Sequence, residues 1–264
     1  MELSLKAGAV ALSFSYSMSK TIRHTFSYSC NQCGRCCRDQ VIALSPYDVI
    51  RIARAAGIST AETVREYTLR RGSILKFKDD GTCRALAGVR CTIHAGRPLA
   101  CRLYPLGLER DLDGRENFIR LEPAIGSRGI YGESGTIADF LEAQGVPEYL
   151  AANDAYRQLL DLMRARVAAL GDFTIVEPHE FWRVATREAL AENNFDPNPL
   201  IDALFDADRF AGRGDSGAAT MRAHLEALND LIRIEKNPAS LAAAAVMLAV
   251  SLGHPPVARA ADLP

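Results

Sequence analysis

All seven cysteines of this 264-residue chain fall between positions 30 and 101. Four form the run Cys30-x-x-Cys33-Gly34-x-Cys36-Cys37, and Cys83, Cys91 and Cys101 follow. Thiolates this dense, with two-residue spacers, are soft ligands for zinc or for an iron–sulfur cluster. The pattern divides the chain into a small mixed half that bears every thiol and a remainder that bears none. A Cys-x-x-Cys turn places two sulfurs on one metal, and Gly34 supplies the positive φ that such turns often need.

Cys30, Cys33 and Cys36 repeat the three-residue step of the bacterial ferredoxin run, which holds three corners of a [4Fe–4S] cluster. The fourth ferredoxin cysteine, followed by proline, is missing here, so Cys83, Cys91 or Cys101 must supply the remaining ligand. The side chains of adjacent Cys36 and Cys37 diverge, so one of them serves a second metal or a second iron. The expected core of the site is therefore Cys30, Cys33, Cys36 or Cys37, Cys91 and Cys101, with Cys83 nearby. Arg35, Arg38, Arg84, Arg90, Arg97 and Arg102 flank these thiols. Arg35, Arg97 and Arg102 are expected to hydrogen-bond thiolate or sulfide and offset the negative charge of a cluster, against the blander reading of surface arginines. His94, three residues after Cys91, offers an imidazole, although a lone histidine in a turn is more often plain surface. Two other readings compete. Seven small buried hydrophobes are disfavoured by the clustering, and a dithiol–disulfide relay at Cys36-Cys37 or Cys30/Cys33 needs no metal. No residue is assigned a catalytic role.

Composition narrows the class. Hydrophobic residues make up 48% and charged residues 24%, as in ordinary globular proteins. A net charge of −1 gives no basic field for nucleic acid or an acidic membrane. An odd number of cysteines without a secretion signal argues for free thiols in a reducing cytoplasm. Residues 1–17 lack a signal-peptide pattern, and Met18 opens a second plausible start. The apolar run Leu241–Leu252 is too short to span a bilayer and reads as a buried helix.

The local signals predict an α+β chain: residues 1–135 form a cysteine-bearing metal-binding part with short strands and helices, and 136–264 an all-helical part. Thr25–Ser29 reads as a strand. Ser45-Pro46 opens a helix that Gly57 ends, and Ser59-x-x-Glu62 is a capping box. The Asp79-Asp80-Gly81 turn delivers Cys83, and a hairpin over Leu106–Leu121 turns at Asp113-Gly114. Thr136–Gln144, Pro147–Leu170, Pro178–Glu192, Ala218–Glu235 and Pro238–Leu252 read as helices. Pro197, Pro199 and the Gly212–Gly217 stretch read as loops. Phe181, Trp182 and Val184 read as core.

These motifs resemble the CxxCxxCC proteins, also called YkgJ-type cysteine-cluster proteins. The matching pieces are Cys30 to Cys37, Leu44-Ser45-Pro46-Tyr47-Asp48, Cys83-Arg84-Ala85-Leu86, and the block from Cys91 through Arg97-Pro98-Leu99-Ala100-Cys101-Arg102-Leu103-Tyr104-Pro105. The resemblance covers roughly positions 25–130 and implies a zinc- or iron-chelating domain, sometimes labelled an Fe–S oxidoreductase. A more distant group, the flagellin lysine methylases, joins a similar cluster to methyl transfer, but no glycine-rich nucleotide loop follows a strand here. Many relatives carry an eighth cysteine where this chain has Glu122-Pro123-Ala124-Ile125-Gly126, so a carboxylate replaces a thiol. Three readings follow: an iron–sulfur protein acting in redox or electron transfer with a protein partner, a structural zinc module that docks a partner, or a cluster-dependent protein-modifying enzyme.

Overall fold

The computed structural model describes residues 20–110, 116–170, 198–212 and 215–253. The expected helix at Pro178–Glu192, with Phe181, Trp182 and Val184, the Asp113-Gly114 turn and the first 17 residues lie outside them. The fold is α+β. Its strands pair two by two, and its helices gather toward the C-terminal side.

Strand β1 (Thr25–Ser29) leads into the cysteine loop. Helix α1 (Pro46–Ala56) begins where the sequence says it must. The Ser45 side chain accepts from the Asp48 backbone N–H, the Asp48 side chain accepts from the Ser45 N–H, and Gly57 closes the helix at φ 69°. The same reciprocal cap, Ser59 with Glu62, opens α2 (Thr60–Tyr67). Strands β2 (Thr68–Leu69) and β3 (Ile74–Leu75) pair antiparallel, as do β4 (Leu86–Ala87) and β5 (Arg90–Cys91). A short helix α3 (Leu99–Leu103) carries Cys101 into the hairpin of β6 (Leu106–Arg110) and β7 (Glu116–Arg120).

Strand β8 (Ile130–Thr136) returns antiparallel to β1, with Tyr28 opposite Tyr131 and Ser29 opposite Ile130. Its sequence, Ile-Tyr-Gly-Glu-Ser-Gly-Thr, has poor strand propensity and no strand was expected there. The pairing with β1 supplies what propensity does not. Close approach is needed as well: a side chain on Gly129 would overlap the Tyr28 ring.

Helices α4 (Ile137–Ala143), α5 (Val146–Ala169), α6 (Pro199–Phe205), α7 (Gly217–Ile234) and α8 (Pro238–Ser251) complete the described chain. The expectation of a loop at Pro199 is corrected. Asn198 caps α6 by accepting from the N–H groups of Leu200 and Ile201, and Pro199 takes the first helical position, where its missing N–H costs nothing. Helix α5 packs along α8 and α7, and α1 packs against α5, α6 and α7. One buried cluster therefore draws Tyr47, Ile50 and Ile52 from before residue 135 and Tyr149, Tyr156, Leu160, Met163, Phe205 and Leu248 from after it. Helix α8 is apolar nearly all round and is correspondingly buried, as the sequence predicts. No described helix is long and apolar enough to cross a membrane.

Candidate metal centre

Three separate stretches bring the thiols together. The first is the loop after β1. Gln32 and Gly34 take left-handed conformations, φ 49° and 69°. The Cys37 N–H bonds back to the Gly34 carbonyl at 3.3 Å, and Leu86 packs against the face of Gly34. The second stretch is tied to the first by backbone: the Cys83 N–H donates to the Cys37 carbonyl at 2.9 Å, and Arg38 bridges to Thr82. The third enters through β5, where Cys91 faces Leu86, and continues through a tight turn to α3 and Cys101.

The α3 stretch is held from two sides. Asp48, buried at the first turn of α1, accepts the Leu99 N–H at 2.8 Å with the carboxylate oxygen that its own cap leaves free. Arg102 is buried too, and donates to the carbonyls of Arg97, Gln144 and Ala95 while lying 4.5 Å over the Tyr149 ring. Its guanidinium hydrogen-bonds backbone carbonyls, where the sequence suggested a hydrogen bond to thiolate or sulfide. Arg97 reaches Gln144 and the His94 carbonyl, yet still lines the cavity and senses Cys101 and Cys30. Arg84 pairs with Glu66.

All seven cysteines are free thiols, and all line one cavity of about 400 Å³. Cys83 is buried, Cys30 is exposed, and the other five are half-buried. Tyr28, Tyr104, Asp48 and His94 also face the cavity, and the end of α8 closes part of it with Ser251 and Leu252. Glu122 is exposed and lines no part of it. Burial holds the His94 imidazole below its ordinary range, with the Arg97 and Arg102 charges adding to the effect.

The thiols sense one another. Burial pushes Cys83, Cys91 and Cys101 up, and for Cys101 the charges of Cys83, Cys91 and Cys36 push further in the same direction. The Cys37 thiol donates to Cys36. That bond pulls Cys36 down to about 7 and raises Cys37, which burial raises further. Cys33 is lowered by backbone N–H groups, Arg128 first and then Arg35. Seven thiols share one cavity, Cys33 and Cys36 ionise most readily, and a bound cation would favour the thiolate form of the rest. Soft sulfur donors suit zinc and iron alike. Among the described residues, however, no three His, Cys, Asp or Glu side chains are arranged to hold a single ion. The donors fit a metal centre by chemistry and by shared cavity.

An α+β domain with a cysteine-lined cavity of this kind is defined by its site more than by its topology. Residues 29–123 match the CxxCxxCC family model, described as "Putative zinc- or iron-chelating domain". The match runs from Ser29, the last residue of β1, to Pro123 and includes every cysteine. No curated protein and no solved structure matches the chain. The family match and the converging thiols together support metal binding.

Proposed function

We propose that residues 1–135 bind a cysteine-ligated iron–sulfur cluster, of the [4Fe–4S] type, and that the protein acts in electron transfer or a redox reaction in a reducing cytoplasm. The observation that carries this reading is the arrangement of seven free thiols, more than the four donors a tetrahedral zinc takes, around one cavity of about 400 Å³. A tetrahedral zinc site draws four donors to within bonding distance of one point, whereas a cluster spreads its cysteines over the corners of a larger body. A cluster supplies one-electron chemistry. The chain's own residues supply its setting: Cys30, Cys33, Cys36 or Cys37, Cys91 and Cys101 as ligands, with Cys83 beside them. Arg35 and Arg97 provide positive charge nearby, Arg102 braces the α3 turn, and the end of α8 in the 136–264 part excludes water.

The test is anaerobic purification of the full chain with iron, zinc and acid-labile sulfide measured on one sample. Stoichiometric iron and sulfide with broad visible absorbance bear the reading out. Colourless protein carrying stoichiometric zinc overturns it in favour of a structural zinc module.

A further inference from the structure

We propose that a second cleft, on the far side of the cysteine loop, is a binding site for a small phosphate-bearing molecule. The cleft measures about 360 Å³, within the size range of small-molecule sites. Arg35, Arg38 and Arg128 line it, and no carboxylate does. The three come from two chain segments almost a hundred residues apart, and the fold fixes their meeting. The Asn31 side chain donates to the Arg128 carbonyl at 2.7 Å, and the Arg128 N–H points to the Cys33 sulfur at 3.5 Å. The Arg35 Nε lies against the Gly126 turn, 3.7 Å from where a side chain there would begin.

Several arginines elsewhere have a carboxylate partner: Arg51 with Glu148, Arg54 with Asp208, Arg71 with Asp202 and Arg84 with Glu66. Among the described residues none of the three cleft arginines has such a partner. The Asp80 carboxylate senses Arg38 at longer range. Three guanidinium groups gathered without a carboxylate among them repel one another, and a bound oxyanion relieves that repulsion. Guanidinium forks match phosphate oxygens two at a time, which favours phosphate over a monodentate anion. Leu86, Gly88 and Val89 leave an apolar wall for the body of the molecule.

The position gives the site its interest. Gln32, Cys33, Gly34, Leu86 and Val89 line both this cleft and the cysteine cavity, so the two share a wall. A phosphate held by the arginines stands against the loop that carries Cys33. The assignment rests on the arginines and the cleft, and not on which metal the thiols hold.

The experiment is calorimetric titration of the purified full chain with inorganic phosphate, pyrophosphate and citrate, at low and moderate salt, with metal content measured on every sample. Saturable binding of pyrophosphate is expected, weakening with salt, with phosphate weaker and citrate weaker still. Arg128→Gln keeps the main-chain bonds to Asn31 and Cys33, and Arg38→Gln changes a residue that is not among those proposed to hold the metal. Each should weaken pyrophosphate by about tenfold with unchanged metal content and melting temperature. Arg84→Gln, which removes a paired arginine outside the cleft, should bind as the parent does. No saturable binding, equal binding by the Arg128 variant, or citrate binding as tight as pyrophosphate each overturns the proposal. Binding that persists in samples lacking iron and sulfide leaves it standing while the cluster reading fails.

Discussion

Asp48 and Leu99 are 51 positions apart, and one hydrogen bond of 2.8 Å joins the start of α1 to the start of the helix that carries Cys101. The other oxygen of the same carboxylate accepts from the Ser45 N–H and hydroxyl, both at 2.8 Å. One buried side chain thus caps α1 and anchors α3. Asp48→Ala removes the cap and leaves two buried N–H groups unpaired. It is expected to destabilise the protein by about 3 kcal/mol and to lower metal retention. Asp48→Asn, which keeps one carbonyl acceptor, should lose less. Urea denaturation and metal analysis of both variants test the ordering, and a neutral Asp48→Ala variant would show that the anchor is dispensable.

Gly96 sits in the turn between Cys91 and Cys101, where an added methyl would overlap the Arg51 carbonyl and crowd Ala55 in α1. Backbone does not yield as a flexible side chain would. Gly96→Ala should destabilise by roughly 2 kcal/mol through overpacking and displace the turn from α1. Gly88→Ala is a control with open space around it but a φ of 60°, so it should show only the smaller penalty of a left-handed alanine. Thermal melts distinguish the two, and equal losses would mean that the contact with Arg51 is easily relieved.

The hydrogen bond from Cys37 brings Cys36 down to about 7, below an unperturbed thiol near 8.5. In metal-free protein the Cys36 thiolate should appear first as pH rises, and alkylation followed by mass spectrometry should show a midpoint near 7. Because the folded pKa is depressed, the stabilisation is full above the unfolded pKa and is lost as pH falls through about 7. Cys37→Ala removes the donor and should move the Cys36 midpoint up by about one unit or more. A midpoint unchanged in that variant would assign the shift to something else.

His224 in α7 is fully buried between the Tyr156 hydroxyl and the Ala203 carbonyl, each at 2.8 Å, with Phe210 stacked on the ring. Burial pushes its pKa down to about 4. Between that value and the unfolded pKa near 6.5, the unfolded chain binds a proton that the folded chain refuses. Stability should therefore fall as pH drops from about 6.5 to about 4, by up to about 3 kcal/mol. His224→Gln should be less stable at neutral pH and lose that acid slope. A slope that survives the substitution would place the titrating group elsewhere.

The helix starts at Ser45, Ser59 and Thr136 were legible because each cap is a local bargain between a hydroxyl and an acidic residue three positions on. The cysteine spacing was legible for the same reason: two-residue spacers act within one loop. Strand β8 and the α6 start were not. Ile130–Thr136 is a strand through its pairing with β1, a contact a hundred residues away, and Pro199 reads as a loop until Asn198 is seen to cap it. Arg102 shows the limit most clearly. Its place beside Cys101 in sequence suggests a hydrogen bond to thiolate or sulfide, whereas folding turns its guanidinium to three backbone carbonyls. By itself the sequence determined how the thiols are spaced along the chain and how the helices begin, since both depend on near neighbours. Only the tertiary structure decided that three distant stretches open onto one cavity, that Arg35 and Arg38 meet Arg128, and which arginines face charge, because those depend on packing between segments that carry no mark of one another.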